Sequence, residues 1–204
     1  MACRRNSIQS KDRELVQIVD AALADSARRS GSWLACRPGC TQCCVGVFAI
    51  SQLDAFRLRE GLAELDERDP QGAQRVRQRA QDSLRRLKAD FPGDASTGIV
   101  DEETKEFEEF ANDEPCPALD PETGLCDLYA ARPMTCRVFG PPIRSAGGLG
   151  VCELCFQGAT SEQIAACELH ADPVQLEAKL LKCLQRTTGE RGSTIVAFAL
   201  GADR

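Results

Sequence analysis

Apolar residues recur at helical spacing in several stretches of the chain and lose that order between them. Between residues 10 and 29, Leu15, Ile18, Val19, Ala22 and Leu23 follow at three- and four-residue steps, which predicts one apolar stripe on an amphipathic helix ending near Gly31. Residues 71–91 repeat the pattern through Ala73, Val76, Ala80, Leu84, Leu87 and Phe91, and predict a second, long helix. Ser51 and Asp54 read as a capping box ahead of Leu53, Phe56, Leu58 and Leu62, so a helix should begin there. Near the other end, a short helix is predicted around 161–170. Asp172-Pro173 reads as the N-cap and first residue of a helix through Leu176, Leu180 and Leu184 that stops by Gly189. Residues 195–200 are apolar throughout and too few to separate strand from helix. The prediction is a mainly α fold, a small irregular helical domain with at most a minor β element.

The intervening segments have another composition. Four cysteines fall between 36 and 44 around Pro38-Gly39, a dipeptide that breaks helix and strand alike, so this is a loop. In 115–136, Pro115, Pro117, Pro121 and Pro133 punctuate short elements; residues 120–124 read as a turn, and Asp127 as the cap of a single helical turn that Pro133 ends. Charge is also segregated: residues 71–91 carry four more bases than acids, and residues 101–114 seven more acids than bases. The two blocks could screen each other, but solvated helix faces are the plainer reading. Residues 64–114 are taken as a charged helical insertion within one domain spanning 1–204.

With 204 residues, 43% of them hydrophobic, the chain has enough apolar material for a real core, and disorder is excluded as its main state. A net charge of -6 argues against nucleic acid as a partner. The best apolar run, 195–202, falls far short of the roughly 20 residues that cross a bilayer, and no membrane association is expected. Arg4, Arg5 and Lys11 are not followed by the apolar region of a secretory signal, so a reducing, cytoplasmic setting is expected. There, twelve cysteines are metal ligands or redox groups rather than a disulfide framework.

Nine of those cysteines gather in three blocks: Cys36, Cys40, Cys43 and Cys44; Cys116, Cys126 and Cys136; Cys152 and Cys155. The two-residue gaps Cys40–Cys43 and Cys152–Cys155 let a tight turn aim two sulfurs at one metal. Side chains of neighbours such as Cys43 and Cys44 diverge in extended backbone, which favours two metals, or two edges of one cluster, over one tetrahedral ion. Nine thiolates around two zinc ions would leave roughly five uncompensated negative charges. Arg37, Arg132, Arg137 and Arg144 beside the blocks could donate to sulfur and offset that load, Arg132 and Arg137 above all. An oxidised 4Fe-4S cluster is less demanding, and Cys36, Cys40 and Cys43 have its usual form of three close cysteines; iron-sulfur is therefore placed slightly ahead of multinuclear zinc. Cys3, Cys167 and Cys183 lie outside the blocks and read as small buried or surface thiols. His170, three residues after Cys167, could share a helix face with it, but a histidine packed or solvated for other reasons is preferred. Tyr129 and Phe139 are read as core around the loop.

The run Cys36-Arg-Pro-Gly-Cys40-Thr-Gln-Cys43-Cys44, then Cys116-Pro-Ala-Leu, then Cys126-Asp-Leu-Tyr129-Ala-Ala-Arg132-Pro133-Met-Thr-Cys136-Arg137-Val-Phe139, resembles the YkgJ-type cysteine cluster family, a zinc- or iron-chelating domain with a CxxCxxCC signature. The resemblance spans Cys36 to Cys155 and implies a cluster of about eight cysteines on zinc or iron. Flagellin lysine methylase is similar over the cysteine motif and suggests an iron-sulfur version, with methyl transfer or redox chemistry as the enzymatic alternative. The Cys36-x3-Cys40-x2-Cys43 spacing also occurs in radical S-adenosylmethionine enzymes. Those need a β/α barrel, which the near absence of strand and helix alternation argues against. A thioredoxin-like use of Cys152 and Cys155 lacks its βαβ unit, and copper(I) storage would spread sulfurs along helices. Metal ions are the expected partners; no protein partner is legible.

Overall fold

The computed structural model describes residues 4–145, 147–172 and 174–202. In chain order they form α1 (Arg5–Ser30), α2 (Gln52–Arg68), α3 (Pro70–Leu87), the hairpin β1 (Gly93–Asp94) and β2 (Ile99–Val100), α4 (Lys105–Glu108), α5 (Met134–Val138), the hairpin β3 (Ile143–Ser145) and β4 (Gly148–Gly150), α6 (Ser161–Ala166), α7 (Leu176–Thr188) and α8 (Val196–Gly201), with single 3-10 turns between them. The fold is mainly α, and among the described residues the strands form two antiparallel pairs. The chain divides into two compact units. One comprises the segment through Pro38 together with Met134–Leu180; the other comprises Gly39–Pro133 and the chain from Leu181 onward. Among the described residues no helix is long and apolar enough to cross a membrane.

In the second unit, α2 starts where the capping box requires. The Ser51 hydroxyl accepts from the Asp54 amide at 3.1 Å, and the Asp54 carboxylate accepts from the Ser51 amide at 3.2 Å. The Asp69 carboxylate accepts from the Gly72 amide at 2.9 Å and Pro70 opens α3. Leu58, Leu62 and Leu65 of α2, Ala73, Val76 and Ala80 of α3, and Val196, Ala199 and Leu200 of α8 bury one another; Ala118 and Leu128 join from the proline-rich segment. The undecided run at 195–200 is thus a helix. Residues 196–200 are all buried, so no polar side appears in the sequence to reveal a period. Phe91 meets Phe110 and Phe198 edge-on, with centroids 6.0 and 4.9 Å apart, in an adjoining cluster. The two charge blocks touch where Arg86 grips the Glu114 carboxylate through two hydrogen bonds of 2.6 and 3.1 Å.

In the first unit, α1 begins at Arg5, earlier than its stripe suggests, and ends at Gly31 with φ +51°. Helix α6 stops at Ala166 and not at 170. Helix α7 starts at Leu176, where the Asp172 carboxylate accepts from the amides of Leu176 and Glu177 at 2.9 and 2.8 Å; Pro173 lies outside the described residues.

Candidate metal centre

The nine candidate ligands fall into both units. Cys40, Cys43, Cys44, Cys116 and Cys126 belong to the second, and Cys36, Cys136, Cys152 and Cys155 to the first. All nine, and Cys167, carry thiols rather than disulfides. Cys183 is half of a disulfide, which corrects its reading as a plain thiol; nothing in its surroundings along the chain signals a pairing. Cys3 lies outside the described residues.

In the second unit the loop of the first block and the proline-rich segment are joined by main chain. The Cys116 amide donates to the Cys44 carbonyl at 2.8 Å and Val45 pairs with Pro115, while Leu119 pairs with Cys126 across the turn at 120–124. Pairing of this kind carries Cys43, Cys44, Cys116 and Cys126 into one neighbourhood. Cys116 and Cys126 also pack against the α2–α3–α8 core. The Cys44 thiol donates to the Cys43 sulfur and favours thiolate there, so Cys43 is lowered to about 6 despite partial burial, with Arg132 adding a smaller attraction. Cys44 is raised, first because it is the donor in that bond, then by burial and by the charges of Cys43, Cys116 and Cys126. Burial pushes Cys116 up to about 11 and also raises Cys126, and each is raised further by charge on Cys43.

The arginines divide differently from expectation. The Arg132 guanidinium lies over the Tyr129 ring, 3.8 Å from its centroid, donates to the Tyr129 carbonyl, adds to the lowering of Cys43 and offsets part of the rise at Cys126. Tyr129 is 64% exposed and Phe139 42% exposed, so neither is core, because the short loops around them offer little to bury an aromatic ring. Arg137 is buried and donates to the Asp20 carboxylate at 2.7 Å. Arg144 forms a two-bond pair with Glu168, at 2.6 and 2.9 Å, in place of the sulfur contact considered for it. Asp127 does not cap the turn at Tyr129–Ala131, since its carboxylate is held by Arg79 at 2.5 Å.

In the first unit, Cys152 and Cys155 are buried in an apolar pocket with Phe156 and Cys167, against Trp33, Leu34 and Ala35. The Cys155 amide turns back onto the Cys152 carbonyl at 2.9 Å, the tight turn expected of a two-residue gap. The Ala35 amide donates to the Cys155 sulfur at 3.4 Å, and the Phe156 amide to the Trp33 carbonyl at 2.8 Å. Gly140, at φ +116°, lets the chain pass directly beside Cys36: a Cβ there would lie 2.5 Å from the Cys36 sulfur. The Gly140 carbonyl in turn accepts from the Cys152 amide at 3.4 Å. Cys136 is half-buried on α5. His170 is exposed beyond the end of α6, so it shares no helix face with Cys167.

Among the described residues no three His, Cys, Asp or Glu side chains already stand in metal-holding positions. Ligation therefore requires χ1 turns of thiols that backbone pairing and packing have gathered. The donor chemistry fits soft or borderline cations: the sets are all sulfur, and half-buried Cys116 and Cys126 are held protonated by their surroundings until a cation compensates thiolate charge.

The family profile named CxxCxxCC, "Putative zinc- or iron-chelating domain", matches residues 35–155. The chain belongs to this family. The match begins beside Cys36, ends at Cys155, and so takes in all nine candidate ligands and the whole of the charged stretch between them. No curated protein and no solved structure matches the chain.

Proposed function

We propose that this member of the CxxCxxCC family is a metal-binding protein whose clustered thiolates ligate an iron-sulfur cluster or multinuclear zinc. The observation that carries the reading is main-chain pairing of Cys44 with Cys116 and of Leu119 with Cys126, which brings Cys43, Cys44, Cys116 and Cys126 from three stretches of chain into one neighbourhood. Four half-buried thiols in one neighbourhood beside an apolar core repel one another as thiolates unless a cation lies among them. Cys40, two residues before Cys43 in the loop, is the fifth donor of this unit, and Cys36, Cys136, Cys152 and Cys155 are those of the other. Arg132 offsets charge on Cys43 and Cys126, and we assign it a supporting role toward sulfur; Arg137 supports its unit through Asp20.

Iron-sulfur is the form we put first, because within the second unit Cys40, Cys43 and Cys44 lie close in sequence with further donors at Cys116 and Cys126, the close-plus-remote ligand pattern of such clusters. We place the protein in the cytoplasm, where thiols such as the ten among the described residues stay reduced; the disulfide at Cys183 is the feature that runs against a fully reducing setting. Anaerobic purification with metal and sulfide analysis and an absorption spectrum tests the reading. Brown protein containing sulfide supports the cluster, colourless protein with two or more zinc ions supports the second form, and protein that takes up neither metal overturns both.

A further inference from the structure

We propose that Cys167, which lies beyond the span matched by the family, is the fourth thiolate of a tetrahedral metal site formed with Cys36, Cys152 and Cys155 in the first unit. The inference rests on the metal-binding reading above and adds to it a ligand and a grouping. Cys155 and Cys167 are 3% and 5% exposed and Cys152 8%, and all three belong to one apolar pocket with Phe156. Two independent links bring Cys36, itself exposed, to the edge of this cluster. Its sulfur lies against Gly140, whose carbonyl receives the Cys152 amide, and the residue before it, Ala35, donates its amide to the Cys155 sulfur. Amide-to-sulfur hydrogen bonds of this kind stabilise thiolate and orient ligands in metal sites.

The segment around Cys167 is fastened as a ligand position needs to be. The Cys167 carbonyl accepts from the Ser26 hydroxyl at 2.6 Å, Arg29 donates to the carbonyls of Ala166 and Glu168, and the Leu169 amide donates to the Pro142 carbonyl at 2.7 Å. Cys167 itself closes the C-terminus of α6, with its amide on Ile164. A one-carbon side chain with a single χ angle, held on so fixed a backbone and sharing a pocket with a Cys-x2-Cys turn, suits a zinc or ferrous ion coordinated by four sulfurs. A net charge of about -2 on such a site is moderate, and the pocket's amide donors reduce it.

Cobalt(II) titration of the full, metal-free chain tests the assignment, because thiolate-to-cobalt charge-transfer absorption scales with the number of sulfurs bound. The expected result is that Cys167→Ala, which leaves the pocket apolar, stays folded by circular dichroism and loses the absorption of one sulfur in the four of this site. Peptide-mapped alkylation gives a second readout: in the native protein Cys167 should resist alkylation when metal is bound and become reactive on adding a chelator. Cobalt spectra identical in Cys167→Ala and the parent chain, or Cys167 equally protected with and without metal, would overturn the assignment and leave the metal-binding reading intact. A parent chain that binds no cobalt overturns both.

Discussion

The amide of Cys116 donates to the carbonyl of Cys44 at 2.8 Å, joining the first cysteine block to the second through main chain alone. Because the bond is backbone, the two thiols stay together when either side chain is changed. Cys44→Ser and Cys116→Ser should therefore fold with the parent's circular dichroism and lose metal from the second unit, read by metal analysis. Undiminished metal in both variants would remove these residues from the ligand set.

Cys44 also sets the titration of Cys43. Its thiol donates to the Cys43 sulfur and holds that group at about 6, so in the metal-free protein Cys43 is thiolate at neutral pH and becomes thiol as pH falls through about 6. In Cys44→Ala the donor is gone, and thiolate should form only as pH rises toward the ordinary cysteine range of about 8.5. Peptide-mapped alkylation rates against pH check this; superimposable Cys43 profiles in the two proteins would contradict it. Arg132→Gln should move the profile the same way by less, since the guanidinium is the smallest of the influences that lower Cys43.

Gly140→Ala should destabilise the first unit by about 1 kcal/mol or more, because φ +116° is costly for alanine and its Cβ would press on the Cys36 sulfur. Thermal unfolding of Gly140→Ala in the Cys36→Ala background separates the two causes. The loss should shrink when the sulfur is absent, leaving the backbone part.

Cys183→Ser removes a disulfide and no proposed ligand. Metal content should match the parent chain, while thermal stability measured without reductant should fall by about 2–4 kcal/mol. With reductant the two proteins should unfold alike.

The helices were legible where one face is apolar and the other polar. The stripe through Ala73, Val76 and Ala80 faces the α2–α8 core, and the Ser51–Asp54 box fixes the start of α2. Helix α8 was not legible, because burial on every side erases the period. The cysteine blocks stood out by spacing, but their distribution over two units depends on pairings such as Cys44 with Cys116 and Gly140 with Cys152, which no local pattern encodes. Cys167 shows the same limit: at the end of a six-residue helix it resembles any small residue, and only its pocket shows its neighbours. Arg144 and Asp127 were misread for a related reason. A charged side chain beside a site in sequence is taken by the nearest opposite charge in space, here Glu168 and Arg79.

X-ray absorption at the edge of whichever metal co-purifies with the full chain tests the central claim most directly. A scattering shell of sulfur at about 2.3 Å is the predicted result, the distance of metal–thiolate bonds. A shell of oxygen and nitrogen near 2.0–2.1 Å with no sulfur would contradict it, since the metal would then be held by something other than these cysteines.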